Sequence, residues 1–195
     1  MSEGASAWAS AIVKTPPLAS WKQPLEQAIE QLDWGERAAP ELVLLAMPQE
    51  HAASLQEASS ELARSLGPSM LLAVVAAGAI GGGEEIDTEP SLSITAGSFP
   101  VNTTLTPFVL TSDRMPVWSQ IAPGEGARPA FLLFADPYSA VTQAVAALDN
   151  AYPAAVVAGG LSCPSSQASP SLAFYSRGAQ VQACHRAVRV ADRSA

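Results

Sequence analysis

The sequence predicts an α/β fold, in which helices pack on a mixed β-sheet built from parallel βαβ units and antiparallel strands. Short apolar runs at 41–47 and 70–76 are typical of buried strands, and an amphipathic segment lies between them. From residue 91 polar and apolar residues alternate, which is typical of antiparallel strands with one solvated face. The strand and helix pattern then returns near residue 130. A mixed sheet accounts for all three observations.

The composition is typical of a folded protein and disfavours two classes of partner, nucleic acids and membranes. Of the 195 residues 48% are hydrophobic and 14% are charged, so one domain can bury a core. The formal charge of −8, with only ten Lys and Arg, disfavours binding to nucleic acid. The longest apolar stretch, 70–80, is shorter than the roughly 20 residues that cross a bilayer, so no membrane partner is expected. The start lacks a cationic leader, which predicts a cytoplasmic location, with the plastid stroma as the alternative.

Two helices are predicted at the amino end. Trp8, Ala11 and Ile12 recur at helical spacing, which predicts the first helix. The second begins near Pro24, because proline suits the first turn of a helix.

A strand, a helix and a strand are predicted next. Residues 41–47 form the first strand, and 49–66 an amphipathic helix that ends at Gly67. Residues 70–76 form the second strand. A helix between two strands predicts a crossover that joins parallel strands.

The carboxyl-terminal half is predicted as strands around one further helix. Antiparallel strands are expected from 91 to 111, then a long loop or insertion at 112–129. Further strands are expected at 130–135, at 154–158, where we expect burial, and within 171–184. Between the first two, Asp136 is expected to cap a helix that turns Val141, Val145 and Leu148 to the core.

Three loops that follow predicted strands, at 77–87, 136–139 and 159–166, form the expected ligand site. Ligands of α/β proteins usually bind at the carboxyl ends of parallel strands. The candidate ligand-binding residues in these loops are Gly78, Gly81, Gly82, Gly83, Glu85, Asp136, Gly159, Gly160 and Ser162.

Each candidate also has a purely structural interpretation. The glycines at 78–83 suit a turn, Asp136 suits a helix N-cap, and Gly159 and Gly160 suit close packing. The glycine-rich stretch lacks the spacing of a dinucleotide site and the lysine of a P-loop. The acidic residues after it would repel phosphate, and they either attract an ammonium group or simply stay solvated.

A catalytic or metal site has less support. Ser162 and Cys163 are candidate nucleophiles, but the surrounding residues lack the closing glycine of GxSxG. Their base would have to be His51 or His185, neither of which lies in a motif. Two cysteines and two histidines without ligand spacing predict reduced thiols, no metal site and no cofactor.

Taken in chain order, three segments resemble the amino-terminal FIST domain. They are Gly78–Gly83 followed by Glu85, Asp87 and 90–93, then 131–139, then 156–162, within a resemblance that extends from about residue 8 to about residue 175. The resemblance implies a sensory, signal-transducing module that binds a small ligand, an amino acid among the candidates, and that is not an enzyme.

The resemblance also implies domain bounds and partners. It predicts a FIST-like domain over 1–178 and a divergent or truncated tail over 179–195. Ala73 and Val74 stand where many relatives have a Gly-Cys pair, which removes any contact that needs that thiol. A second, carboxy-terminal FIST domain usually follows in the family, and the resemblance ends before one here, so we expect such a domain, or a second copy of this chain, as a partner.

Two other functions stay open at this point. One is a hydrolase or transferase that uses Ser162 or Cys163. The other is an interaction or assembly module with an unpaired strand edge within 171–184.

Overall fold

The computed structural model describes residues 6–16, 20–100, 103–110, 129–164, 166, 170–177, 182–184 and 188–194. Contacts divide the chain into unit 1, Met1–Phe99 with Cys163–His185, and unit 2, Pro100–Ser162 with Arg186–Ala195. The helices are α1 (Lys22–Leu32), a 3-10 helix (Gln49–Ser54), α2 (Leu55–Leu66) and α3 (Val141–Ala151). The strands are β1 (Ala7–Lys14), β2 (Leu42–Pro48), β3 (Met70–Ala76), β4 (Ala79–Gly81), β5 (Glu84–Ile86), β6 (Ser91–Ser98), β7 (Thr104–Leu110), β8 (Ala130–Ala135), β9 (Val156–Leu161), β10 (Leu172–Ser176), β11 (Gln182–Cys184) and β12 (Val188–Ser194).

Unit 1 is built on a six-stranded sheet with the order β1-β6-β2-β3-β10-β11. β2 and β3 are parallel, in a register that runs from Leu42 opposite Met70 to Pro48 opposite Ala76. The other neighbouring pairs are antiparallel. The predicted crossover and the α/β class with a mixed sheet are therefore confirmed.

Helices α1 and α2 contribute to the main hydrophobic core of unit 1, together with apolar residues of the sheet. Leucines of both helices, including Leu25, Leu55 and Leu62, are fully buried in one cluster that also contains Leu45 and Leu71 of the sheet. Fully burying a leucine side chain stabilises a fold by about 1.5–3 kcal/mol. The helix predicted near Pro24 and the one predicted over 49–66 are confirmed, the latter with a 3-10 first part.

The helix predicted around Trp8, Ala11 and Ile12 is wrong, because these residues lie in strand β1. β1 pairs with β6 along its whole length, so that Ala11 and Val13 are buried while the residues beside them are more exposed. Trp8 is opposite Gly97, where a side chain would overlap the indole ring. The indole is 50% exposed and contacts Phe99 edge to face, with ring centroids 5.3 Å apart. Trp21 and Trp34 are buried, whereas Trp118 lies outside the described residues.

Strands β4 and β5 form a hairpin across the glycine-rich segment. Both residues at its tip have positive φ angles, 57° at Gly82 and 85° at Gly83, as a type I′ hairpin turn requires. The hairpin contacts β6 and β1. A Cβ atom on Gly81 would lie 2.7 Å from the carbonyl oxygen of Ala11, so the backbones meet there without room for a side chain.

Unit 2 contains a four-stranded sheet with the order β7-β12-β8-β9. β8 and β9 are parallel and α3 connects them, whereas β12 is antiparallel to both β7 and β8. The core contains Phe131, Leu133 and Ala135 of β8, and Ala144 and Leu148 of α3. Residues 188–194, within the predicted tail, thus form an inner strand of this sheet.

Three expectations for unit 2 are corrected. Asp136 does not cap α3, because the residue that precedes this helix is Ala140 and it makes no capping bond. Val145 is 41% exposed, since the buried face of α3 is formed by Ala144 and Leu148. The expected strand near 154–158 exists as β9 but is exposed, because the described core of unit 2 is formed by residues of β8 and α3 and includes none of β9.

Two other expectations concern segments near the gaps in the description. Residues 111–128 lie outside the described residues, so the loop predicted at 112–129 stays a prediction apart from Pro129. An unpaired strand edge is expected within 171–184. Of the two strands there, β10 is paired on both sides, and β11 is the edge strand of the sheet.

Gly159 provides a test of the close approach between β9 and β8. Its φ angle is 140°, and a Cβ atom there would overlap the carbonyl oxygen of Leu133, whereas a Cβ atom on Gly160 meets nothing within 4 Å. We therefore expect Gly159→Ala to lower the free energy of unfolding by about 2 kcal/mol or more. Gly160→Ala, the control, should change it by less than about 0.5 kcal/mol. Urea denaturation measures both; equal losses would contradict this packing.

The hairpin provides a second matched pair. Asparagine tolerates the φ angle at the first tip position, so Gly82→Asn should leave the free energy of unfolding within about 0.5 kcal/mol of the parent. Gly81→Ala should lower it by about 1–3 kcal/mol, because the new methyl group would displace Ala11. Thermal or urea unfolding distinguishes the two; a loss from Gly82→Asn as large as that from Gly81→Ala would argue against this turn.

Candidate functional site

A cleft of about 180 Å³ lies in unit 1 where the parallel strands β2 and β3 end. Its lining residues come from the segments that follow β2, β3 and β5: Pro48, Gln49, Glu50, Ala76, Ala77, Asp87, Thr88, Glu89 and Pro90. The carboxyl edge of parallel strands is where open α/β sheets usually bind ligands.

The cleft follows from the register of the two parallel strands. Pro48 and Ala76 are the last residues of β2 and β3 and lie opposite each other. After Pro48 the chain enters the 3-10 helix, and after Ala76 it continues to the hairpin. The returning segment 87–90 then leads into β6, which lies on the other side of β2. Three segments thus border one space.

The charged groups around the cleft are mostly acidic. Glu50 and Asp87 are exposed, and the ion pairs found among the described residues include neither. Glu89 is bound by Lys14, whose Nζ lies 3.1 Å from Oε1. A ligand that donates hydrogen bonds or carries a positive charge suits this lining better than an anion does.

Gln49 connects the cleft to a residue distant in sequence. Its Nε2 donates hydrogen bonds to the carbonyl oxygen of Cys163 at 2.8 Å and to its Sγ at 3.0 Å. The backbone N–H of Cys163 donates to the carbonyl oxygen of Val75, at 2.7 Å, near the end of β3. Cys163 is a half-buried free thiol.

The candidate residues Gly78, Gly81, Gly82, Gly83 and Glu85 all lie on or beside the hairpin of unit 1. Their glycines have structural roles at the tip and at the contact with β1, and Gly82 N–H also donates to Ser10 Oγ, at 3.0 Å. The cleft is not lined by these five residues; it begins at the base of the hairpin, at Ala77 and Asp87.

A second cavity lies at the tip of the hairpin. It has a volume of about 360 Å³ and is lined by Ser10, Ala11, Ile12, Gln31, Gly82 and Glu84. Gly82 is therefore the one predicted site residue that lines either of these two cavities.

The other four candidates, Asp136, Gly159, Gly160 and Ser162, belong to unit 2. Asp136 is buried, and its Oδ1 accepts a hydrogen bond from the N–H of Tyr138 at 2.8 Å, which makes an Asx turn after β8. Gly159 is required by its contact with Leu133. Ser162 donates its N–H to the carbonyl oxygen of Ala135, at 2.8 Å. The expected convergence of all three loops stays a prediction.

Four polar residues of the cleft are not among the site residues predicted from the sequence: Gln49, Glu50, Thr88 and Glu89. The rule that selected loops after predicted strands applies equally to the strand at 41–47, and polar residues follow it directly. Glu89 lies only two residues after Asp87, but nothing local in the sequence brings it to the ends of β2 and β3.

The described residues contain neither a metal-binding group nor a membrane-spanning helix. No group of three or more His, Cys, Asp or Glu side chains in the described ranges could hold a metal ion. In the same part of the chain, no helix has both the length and the apolar character needed to cross a membrane.

Comparison with known families identifies the chain. The family model described as FIST N domain matches residues 41–191, which is most of the chain and includes every residue that lines the cleft. Comparison with curated proteins gives no match. The FIST domain is a sensory domain associated with signal transduction. On the extent of this match, the chain belongs to the FIST N domain family.

Proposed function

We propose that this chain is a sensory domain whose cleft binds a small ligand that carries an ammonium group, with amino acids as the first candidates. The observation that carries the proposal is the position of an acid-lined cleft at the carboxyl ends of β2 and β3. That edge is where the fold class usually binds ligands.

The size of the cleft supports a small ligand. Pockets for drug-sized molecules begin at roughly 300 Å³, and this cleft measures about 180 Å³. A single amino acid or amine matches that volume better than a nucleotide does. The acidic lining also disfavours a phosphate group.

The charges support an ammonium group. The carboxylates of Glu50 and Asp87 are exposed at the cleft and form none of the described ion pairs, so an incoming cation displaces no cation from them. An ammonium group donates three hydrogen bonds and would form charge-assisted bonds with either carboxylate. An anionic ligand would meet repulsion from both.

Binding without catalysis is part of the proposal. In the described part of the chain the buried Oγ of Ser162 has no hydrogen-bond partner, so it lacks the contact with a base that activates a serine nucleophile. The one described hydrogen bond to the Sγ of Cys163 comes from the amide of Gln49, which is not a base.

A thermal-shift experiment with ethylammonium, glycine and acetate at matched ionic strength tests the binding proposal. Ethylammonium and glycine should raise the melting temperature, by the equivalent of about 2.7 kcal/mol at 100 times the dissociation constant, whereas acetate should not. Asp87→Asn and Glu50→Gln should reduce the stabilisation, since each removes one carboxylate from the cleft.

Two exposed acidic residues outside the cleft serve as controls. Glu85 lies on the hairpin and Glu36 lies beyond α1. The variants Glu85→Gln and Glu36→Gln should therefore retain the full stabilisation by ethylammonium and glycine. Stabilisation by acetate alone, or none by any of the probes, would refute an ammonium site. Equal loss in all four variants would point to a general charge effect.

A further inference from the structure

Gln49 belongs to two parts of unit 1 at once. It is one of the residues that line the cleft, and its side-chain Nε2 donates hydrogen bonds to the carbonyl oxygen and the Sγ of Cys163. The two residues are separated by 114 positions in the sequence. This contact therefore ties the cleft to a distant segment of the chain.

The side-chain amide of Gln49 has a donor group and an acceptor group, which can bind different partners. The amide nitrogen of Gln49 is the donor group of the side chain, and its two described bonds both go to Cys163. What the side chain still offers is its carbonyl oxygen, an acceptor. An ammonium ligand that donates to this oxygen polarises the amide and strengthens the N–H bonds on its other side.

Stronger hydrogen bonds from Gln49 to Cys163 would affect the residues to which Cys163 is connected. Its N–H is bonded to Val75 O, and Val75 N–H is bonded to Ser171 O, just before β10. Cys163 is also the first residue of unit 1 after the chain leaves unit 2 at Ser162. Stronger hydrogen bonds to Cys163 therefore restrain the residue at which the chain passes from unit 2 into unit 1.

We propose that Gln49 couples occupancy of the cleft to Cys163, so that a bound ammonium ligand holds the thiol more firmly and protects it from modification. The coupling rests on the proposed function of the cleft. It is reciprocal, because two linked equilibria change each other by the same factor. A modification of Cys163 that displaces Gln49 therefore weakens ligand binding.

The rate of alkylation of Cys163 by N-ethylmaleimide tests the coupling. Cys184→Ser in all proteins leaves one thiol, so mass spectrometry follows a single reaction. Saturating ethylammonium should slow alkylation by about fivefold, the lower end of typical allosteric factors. In Gln49→Met, alkylation should be faster than in the parent and should not respond to ethylammonium. Gln27→Met, an exposed glutamine on α1, should behave as the parent.

The results separate this coupling from the function on which it rests. If ethylammonium stabilises the parent through Asp87 but leaves the alkylation rate unchanged, the coupling is refuted and the site stands. If ethylammonium does not stabilise the parent, both are refuted. An alkylation rate in Gln49→Met equal to that of the parent refutes the coupling in either case, provided that circular dichroism shows both proteins folded. In the alkylated parent protein, ethylammonium should produce less than half of the rise in melting temperature that it produces in the unmodified protein.

Discussion

The parallel pairing of β2 with β3 is the interaction on which the rest of unit 1 depends. Its register places Pro48 and Ala76 level with each other, so both chains leave the sheet at the same edge. Helix α2 crosses between them and is buried against the sheet through Leu55 and Leu62. A shift of one residue in β3 would turn Leu71, Ala73 and Val75 away from the helices with which they share the core. The buried leucines thus fix the position of the cleft as well as the stability of the sheet.

Glycine has structural roles at the positions where the sequence alone left its role open. Gly82 and Gly83 supply positive φ angles, and Gly81 and Gly159 allow backbones to meet where a side chain would collide. Gly160, beside Gly159, has open space around its Cα and is under no such constraint. A glycine-rich segment after a strand is compatible with both a tight turn and a ligand loop, and only the neighbouring backbone distinguishes them.

The elements predicted well from the sequence are those with a local signal. α1 begins near a proline and α2 ends at a glycine, and apolar runs of strand length mark β2, β3 and β8. β1 was mistaken for a helix because Trp8, Ala11 and Ile12 fit a helical period, whereas its strand state depends on pairing with β6. The exposure of β9 likewise depends on α3 packing against β8, which the apolar sequence of β9 does not encode.

The two units are interleaved along the chain, and this has a consequence for synthesis on the ribosome. β10, an inner strand of the first sheet, begins at Leu172, and β12, an inner strand of the second, begins at Val188. Neither sheet is complete when the residues up to Ser162 have been made. The nascent chain must therefore keep the edges of β3 and β8 unpaired until β10 and β12 emerge. Both sheets are for this reason completed only by strands made after residue 162, and no single contiguous segment encodes either unit.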